Sequence, residues 1–358
     1  MYRKDAIVVG EWIRNSNKAL LVTGARQTGK TWLIRDEIEK SGYTKFELNF
    51  IDQPDMVSYL NAEMSAEEFL IKLKMIMPED CKVHETVVFF DEIQKCPEIV
   101  TKIKFLVDEG SFKYVMSGSL LGVELKGIAS APVGYLTVLR MYPMDFEEFM
   151  VANNVSTTTL DMLEDKFKTV SPIEEFIHQK LLAMFFVYLI VGGMPDAVKT
   201  YIETKDIREV DRVQRDITTL YKEDFSQYEL EDRKLKLKSI YDIIPAELDK
   251  QNKKFVFTML NKELKFERYE NSFLWLKDAG VALPVYNVDA PVIPLLASKS
   301  SNVFRLFSSD IGLLTSAYPA ETKIELINKN GEVNNGAHFE NAVAQQLTCL
   351  LYTSDAAD

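Results

Sequence analysis

Residues 19–31 have the sequence Ala-Leu-Leu-Val-Thr-Gly-Ala-Arg-Gln-Thr-Gly-Lys-Thr. The first four form a short apolar run, which is typical of a buried parallel strand. The run enters a loop of the form G-x-x-x-x-G-K-T, and a helical pattern follows from Thr31 to Lys40. This order predicts a strand, a phosphate-binding loop and a helix at the start of an α/β domain. A chance match to the loop pattern is the alternative, and the flanking strand and helix patterns argue against it.

The residue types in this loop suit the phosphates of a nucleotide. Glycines allow backbone angles that a side chain would forbid, so successive N–H groups can surround phosphate oxygens at the positive end of the helix. Lys30 would neutralise the β and γ phosphates, and the Thr31 hydroxyl is the expected ligand of Mg²⁺. The predicted nucleotide contacts are Gly24, Ala25, Arg26, Gln27, Thr28, Gly29, Lys30 and Thr31.

A second part of the predicted site follows a strand further along the chain. The pattern continues β-α-β-α, and the apolar run from Thr86 to Phe90 ends in Asp91 and Glu92. In parallel α/β sheets ligands bind beyond the carboxyl ends of the strands, which is where the loop and both acids fall. We therefore expect Asp91 to hold Mg²⁺ and Glu92 to act as general base towards the attacking water. Taken without the loop, the two acids would fit a solvated turn equally well.

The next predicted strand, Phe112–Met116, ends in Ser117-Gly118-Ser119. A hydroxyl there could contact the γ phosphate or its water, so Ser117 and Ser119 are candidates and Ser119 is included among the catalytic residues. An ordinary Gly-Ser turn is the alternative. Arg26 and Arg140 are candidates for a guanidinium that stabilises the transition state, although a structural ion pair fits each of them better. A strand from Leu136 to Leu139 would close the sheet at five strands.

The composition limits the classes of function. A chain of 358 residues predicts two or three domains, and its net charge of −12 gives no overall attraction for nucleic acid or anionic membranes. The three cysteines form no C-x-x-C pair, as expected in a reducing compartment. The N-terminus lacks the apolar segment of a signal peptide, and the longest apolar run, Leu181–Val191, is too short to span a membrane. We expect a cytoplasmic protein without membrane contact.

The C-terminal half changes in character. Patterns from 151 to 228 are helical and are interrupted at Gly192-Gly193-Met194-Pro195. Residues 230–270 hold ten Lys or Arg against eight acids, so this segment is weakly basic in an acidic chain. Three short helical patterns, at Ile240–Lys250, Thr258–Leu264 and Tyr269–Ala279, are followed by an apolar strand at Val281–Val288. This order suits a winged helix, which predicts DNA contact through residues 230–290. A packing or oligomerisation module with solvated lysines remains the alternative.

With these residues laid out, the chain resembles prokaryotic AAA-like ATPases that end in a restriction-endonuclease-like domain of unknown function. The resemblance runs from Tyr2-Arg3 to about Leu347. It rests on the following residues in order: the loop from Gly24 to Thr31, Phe89 to Gln94, Gly118-Ser119-Leu120-Leu121-Gly122, Tyr142 to Phe149, Gly192 to Pro195, Lys253-Lys254-Phe255, Asp310 to Leu314 and Phe339-Glu340-Asn341.

The resemblance implies an ATPase core at 1–150, a helical lid at 151–228, a winged-helix-like module at 229–300 and the start of a nuclease-like domain at 301–348. Two departures stand out. Tyr135 follows Pro132-Val133-Gly134 where the family tends to have a basic residue, and the acid and lysine of the nuclease-like site do not follow Asn341. Residues 349–358, CLLYTSDAAD, resemble a translated sequencing adapter and are interpreted as an artefactual tail. If the nuclease-like domain is incomplete, apolar residues from Val303 onward should be partly exposed, including Phe304, Leu306, Phe307 and Leu313.

The sequence thus predicts an α/β P-loop NTPase of the AAA-like type, with a parallel sheet that carries helices on both faces. Its predicted activity is Mg²⁺-dependent ATP hydrolysis, with Lys30, Glu92 and Ser119 as catalytic residues and Thr31 and Asp91 at the metal. The nucleotide state would switch contact with DNA, a protein partner or a second copy of the chain. The alternative is a nucleotide-gated binding module with little or no hydrolysis. GTP in place of ATP is left open by these patterns.

Overall fold

Five parallel strands form the central sheet of residues 3–142 in the computed structural model of the protein. The structure describes residues 1–60, 64–119, 134–227, 231–250, 255, 269–328 and 335–354. The strands are β1 (Ala19–Thr23), β2 (Thr44–Asn49), β3 (Thr86–Asp91), β4 (Lys113–Gly118) and β5 (Leu136–Arg140). They lie in the order β2-β3-β4-β1-β5, and every pairing is parallel. The five predicted strands and the α/β fold class are confirmed.

Helices cover both faces of this sheet because successive side chains of each strand point to opposite sides. On one face, Leu20, Val22 and Phe89 pack with the helices α1 (Asp5–Asn15) and α2 (Lys30–Ser41). On the other face, Leu21, Val88 and Phe90 pack with a second group of helices. These are α3 (Pro54–Leu60), α4 (Ala66–Ile76) and α5 (Glu98–Glu109).

Local signals set the ends of several helices in this unit. Ser65 and Glu68 form a capping box at the start of α4, in which each side chain accepts a backbone N–H of the other residue. Gly42 and Gly110 end α2 and α5 in left-handed conformation. The helix that follows the phosphate-binding loop starts at Lys30, directly after Gly29.

Residues 143–351 belong to a second compact unit, which is mainly helical. Its helices are α6 (Phe146–Ala152), α7 (Thr157–Lys168), α8 (Glu175–Val191), α9 (Pro195–Thr204), α10 (Ile207–Gln227), α11 (Glu231–Leu248), α12 (Glu270–Asp278), α13 (Ile311–Ser316), α14 (Ala320–Ile327) and α15 (Gly336–Ser354). Two antiparallel strands, β6 (Ala282–Val288) and β7 (Lys299–Ser308), complete it. None of the helices within the described part of the chain is both long and apolar enough to span a membrane.

The centre of this unit is a buried polar contact around Asp310. One carboxylate oxygen of Asp310 accepts the backbone N–H of Gly193 at 2.6 Å, and the other accepts the N–H of Leu313 at 2.9 Å. A Cβ atom on Gly193 would lie 1.9 Å from the carbonyl oxygen of Met144, so only glycine fits there. The Gly-Gly stop predicted from the sequence therefore joins three distant segments of the chain.

One prediction about this unit is wrong. Phe304, Leu306, Phe307 and Leu313 were expected to be partly exposed, yet each is at least 94% buried. Phe304 stacks on Phe255, and Phe273 contacts both rings edge-on. Phe304 thus packs against residues of the same unit, and all four side chains are buried within this chain.

The predicted division into lid, winged-helix-like module and nuclease-like segment stays a prediction. The helix Glu270–Asp278 and the strand Ala282–Val288 lie where the pattern places them. The predicted helix Thr258–Leu264, the pair Lys253-Lys254 and the segments Leu120–Gly122 and Pro132-Val133 lie outside the described residues.

Candidate active site

The loop between β1 and α2 has the backbone conformation that its glycines permit. Gly24 has φ 144° and Gly29 has φ 91°, and Gln27 between them has φ 61°. A Cβ atom on Gly24 would lie 2.1 Å from the carbonyl oxygen of Met141, which directly follows the neighbouring strand β5. A side chain at position 24 is therefore excluded both by backbone angle and by space.

Lys30 lies under this loop and is 93% buried. Its ammonium donates to the carbonyl oxygens of Ala25 at 2.7 Å and Gly24 at 3.1 Å. Burial lowers the pKa of Lys30 to about 8, against the opposing charges of Glu92 and Asp91. The buried ammonium of Lys30 is thus bound to the backbone of the loop that would surround the phosphates.

Asp91 is the centre of the polar cluster at the carboxyl ends of the strands. Its carboxylate accepts the Thr31 hydroxyl at 3.0 and 3.1 Å and the Asn49 amide at 3.1 Å. The Ser117 hydroxyl and the backbone N–H of Glu92 donate to it as well. Asp91 is 98% buried, and this desolvation raises its pKa despite the hydrogen bonds from Ser117 and Thr31.

The oxygen donors of this cluster fit Mg²⁺. Mg²⁺ is usually bound by one or two protein oxygens together with substrate phosphates and water, and not by a complete protein cage. Thr31 and Asp91 supply a hydroxyl and a carboxylate that already touch, beside the loop predicted to hold the phosphates. The described residues contain no group of three or more His, Cys, Asp or Glu that could hold a metal by itself.

Glu92 follows Asp91 in a sparsely populated backbone conformation. Its φ of 56° lies in the left-handed region, which non-glycine residues adopt at a cost. Its carboxylate accepts the side-chain amide of Gln94, and the same amide nitrogen lies 3.3 Å from the hydroxyl oxygen of Ser119. Glu92 and Ser119, which were predicted separately, are thus brought to one place by Gln94.

Arg3 is hydrogen-bonded to the backbone of the phosphate-binding loop. Its guanidinium donates to the carbonyl oxygens of Thr28 at 3.0 Å and Tyr142 at 2.7 Å, and it pairs with Asp5 at 3.4 Å. Arg3 is 96% buried. A buried guanidinium with fixed carbonyl acceptors holds the loop in place and does not present itself to a ligand.

The structure therefore brings together the predicted loop residues, Asp91, Glu92 and Ser119. Sequence reasoning missed Asn49, Gln94 and Arg3. Asn49 and Gln94 could have been found, because one ends a predicted strand at the same sheet edge and the other lies two residues after Glu92. No local sequence pattern identifies Arg3, because the carbonyl oxygens that accept its hydrogen bonds lie 25 and 139 residues away in the sequence.

The positions of Arg26 and Arg140 do not assign either of them to the stabilisation of the transition state. Arg26 is partly buried near Lys30, and its charge lowers the pKa of that lysine slightly. Arg140, at the end of β5, places its guanidinium 5.6 Å from the ring centre of Tyr142.

Comparison with family models gives two matches. Residues 16–150 match the model described as an AAA domain, and residues 183–324 match a domain of unknown function. The first match covers β1 to β5, the loop and the Asp91 cluster. Residues 16–150 are therefore similar to AAA domains.

Solved structures resemble the chain at low sequence identity. A Walker-type ATPase of Pyrococcus abyssi has 13% identity and a TM-score of 0.48, with 88% of this chain and 95% of that chain covered. AMPPCP-bound DnaA from Aquifex aeolicus has 12% identity and a TM-score of 0.39, covering 97% and 94%. Cdc6p from Pyrobaculum aerophilum has 13% identity and a TM-score of 0.30, covering 90% and 92%. No curated protein matches the chain.

Proposed function

We propose that residues 3–142 bind ATP together with Mg²⁺ and hydrolyse it. The observation that carries this proposal is the contact of Thr31 with Asp91 at 3.0 and 3.1 Å, directly beside the Lys30 ammonium and the glycine-rich loop. A hydroxyl, a buried carboxylate and a buried cation at the carboxyl ends of parallel strands match the needs of a metal-bound triphosphate. The match to the AAA domain model over residues 16–150 supports the same class of protein.

The residues of this chain would divide the work as follows. Thr31 and Asp91 would hold Mg²⁺, which when bound neutralises charge on the β and γ phosphates. Lys30 and the loop amides would stabilise the charge that develops on the phosphate oxygens. Glu92 would orient the attacking water and accept its proton, and Ser119 would contact the γ phosphate.

The other candidate function is a binding module that responds to ATP with little turnover. The conformation of Glu92 favours it in one respect, because the carboxylate of Glu92 is already engaged by Gln94. Binding and turnover must therefore be measured separately.

One experiment separates the two functions. Unfolding temperature is measured with and without Mg-ATP, and phosphate release is followed, for the wild type, Glu92→Gln and Lys30→Ala. Mg-ATP at 100 times its Kd should stabilise the wild type and Glu92→Gln by about 2.7 kcal/mol, and this should be lost in Lys30→Ala. Glu92→Gln should lower the rate of hydrolysis by about 10²- to 10⁴-fold, because a neutral amide cannot accept the proton.

Three results would contradict the proposal. A wild type that is not stabilised by Mg-ATP has no nucleotide site of this kind. Stabilisation without turnover supports the binding module. Turnover that survives Glu92→Gln unchanged means that another group acts as the base.

The roles beyond nucleotide chemistry stay predictions from the sequence. DNA contact through residues 230–290 depends partly on residues 251–254 and 256–268, which lie outside the described part of the chain. The switching role, a protein partner, self-association and a cytoplasmic location likewise await measurement.

A further inference from the structure

Gln94 connects two side chains that follow different strands. Its amide nitrogen donates to a carboxylate oxygen of Glu92, after β3, and lies 3.3 Å from the hydroxyl oxygen of Ser119, after β4. A primary amide has two N–H groups, so both hydrogen bonds can be made at once. One side chain therefore spans the ends of two neighbouring strands at the candidate active site.

The orientation of this amide is set by Glu92. If the amide were reversed, its oxygen would face the Glu92 carboxylate and two acceptors would oppose each other. With the nitrogen towards Glu92, the Gln94 oxygen is buried and has no hydrogen-bond donor within the described part of the chain. Gln94 and Ser119 are 91% and 98% buried, so water replaces none of these contacts freely.

Two unfavourable features thus occur in two nearby residues. Glu92 has a left-handed backbone, and Gln94 carries a buried acceptor without a donor within the described residues. Such features persist where the surrounding structure fixes them, and they concentrate at functional sites. In this arrangement the Gln94 amide nitrogen contacts both the Glu92 carboxylate and the Ser119 hydroxyl.

We propose that Gln94 is a positioning residue that couples contact with the γ phosphate at Ser119 to the placement of the Glu92 carboxylate. Ser119 accepts the Gln94 amide through its oxygen, so its own O–H remains able to donate to a phosphate oxygen. A phosphate held by Ser119 would fix the Gln94 amide, which in turn fixes Glu92 for proton transfer. ADP lacks the γ phosphate and would leave this chain of hydrogen bonds unfixed. The inference rests on the proposed function.

A double-mutant cycle tests the coupling. Gln94→Met keeps the length of the side chain and removes both N–H donors, and Ser119→Ala removes the hydroxyl. Each change should lower kcat about tenfold or more while the KM for ATP stays within about twofold, because the phosphate-binding loop is untouched. The double variant should have about the same kcat as the less active of the two single variants, since both residues act through one chain of contacts.

Ser111→Ala is the matched control for Ser119→Ala. Ser111 is also a buried serine of this unit, but it hydrogen-bonds to Glu109 at the other end of β4. Its removal should leave kcat unchanged. A purely structural role for Gln94 would lower the unfolding temperature and leave kcat per folded molecule as it is.

Four outcomes would overturn the inference. Two concern Gln94→Met alone: an unchanged kcat, or a raised kcat, which would show that Gln94 restrains Glu92. The third is a double variant in which the two losses in kcat multiply. The fourth is a wild type that does not hydrolyse ATP. The last outcome removes the proposed function as well, whereas the first three leave it intact. Should Gln94→Met fail to fold, Gln94→Ala removes both N–H donors without adding a charge and gives the same test.

Discussion

At the scale of single residues, the Lys30 ammonium is bound to the carbonyl oxygens of Gly24 and Ala25, and burial lowers its pKa to about 8. Lys30 must be charged to stabilise phosphate oxygens. Above pH 8 the free protein loses this proton, so binding of ATP has to take one up. The affinity for Mg-ATP should therefore fall by only about twofold between pH 7 and 8 and then by up to about tenfold per pH unit.

Titration of Mg-ATP at pH 7, 8, 9 and 9.5 measures this dependence. Lys30→Arg is the control, because a guanidinium stays charged over the whole range. Its affinity, whatever the value, should not change with pH. A wild-type affinity that is equally flat up to pH 9.5 would show that the lysine proton is not linked to binding.

The residues found from the sequence are those with a local pattern. Gly24 to Thr31 form a contiguous motif, and Asp91 and Glu92 end an apolar strand, so neighbours in the sequence sufficed to identify them. Arg3 was not predictable, because its role depends on the carbonyl oxygens of Thr28 and Tyr142, which only the fold brings near. Gln94 was within the quoted motif, yet its contact with Ser119 requires the pairing of β3 with β4.

At the scale of elements, the contact between Asp310 and the Gly192-Gly193 turn makes a prediction about pH. Burial raises the pKa of Asp310 from 3.8 to about 6, so the folded state binds this proton more tightly than the unfolded state. The contribution of this group to stability is therefore present at low pH and is lost as the pH rises from about 4 to 6. Relative to Asp310→Asn, the wild type should gain about 2 kcal/mol when the pH falls from 7.5 to 4.5.

Urea unfolding of both proteins at the two pH values measures the difference. Asn keeps one oxygen that can accept the N–H of Gly193 or Leu313, so the comparison removes the titration and not the whole contact. Asp216→Asn, on the exposed side of α10, is the control for replacing an aspartate by asparagine in this unit. A difference that does not change with pH would contradict the assigned proton.

Strands and helices were predicted well where the spacing of apolar residues identifies them. Both faces of the sheet are buried, which gives the strands β3 and β4 the apolar runs that identify them. The error over Phe304, Leu306 and Phe307 has a physical reason. Their pattern shows that these side chains pack against something, but it does not say whether the partner is a further domain or a part of the same chain, as Phe255 and Phe273 are for Phe304.

At the scale of the whole molecule, residues 143–351 form a unit that depends on the helix Gly336–Ser354. The Asn341 side chain accepts the N–H of Ser308 at 2.8 Å and donates to its carbonyl at 3.2 Å, and Gln345 accepts the N–H of Ile311 at 2.8 Å. Loss of these partners would leave buried backbone groups unsatisfied, at about 1–3 kcal/mol each. A chain that ends at residue 334 should therefore lose cooperative unfolding of this unit.

A chain that ends at residue 348 is the matched comparison. It retains Asn341 and Gln345 and removes the segment interpreted as an artefactual tail, whose Leu350 and Leu351 are 54% and 64% exposed. Circular dichroism during urea unfolding should show the wild-type transition for this chain. An equal loss in both shortened chains would mean that residues 349–354 contribute to the fold.

The end of the first unit is attached to its phosphate-binding loop at two points. The backbone N–H of Met141 donates to the carbonyl of Thr23 at 2.7 Å, and the Arg3 guanidinium ties the carbonyl of Tyr142 to that of Thr28. Tyr142 is followed directly by Pro143, the first residue of the helical unit. Any displacement of the loop is therefore passed directly to Met141 and Tyr142, the last two residues of this unit before Pro143.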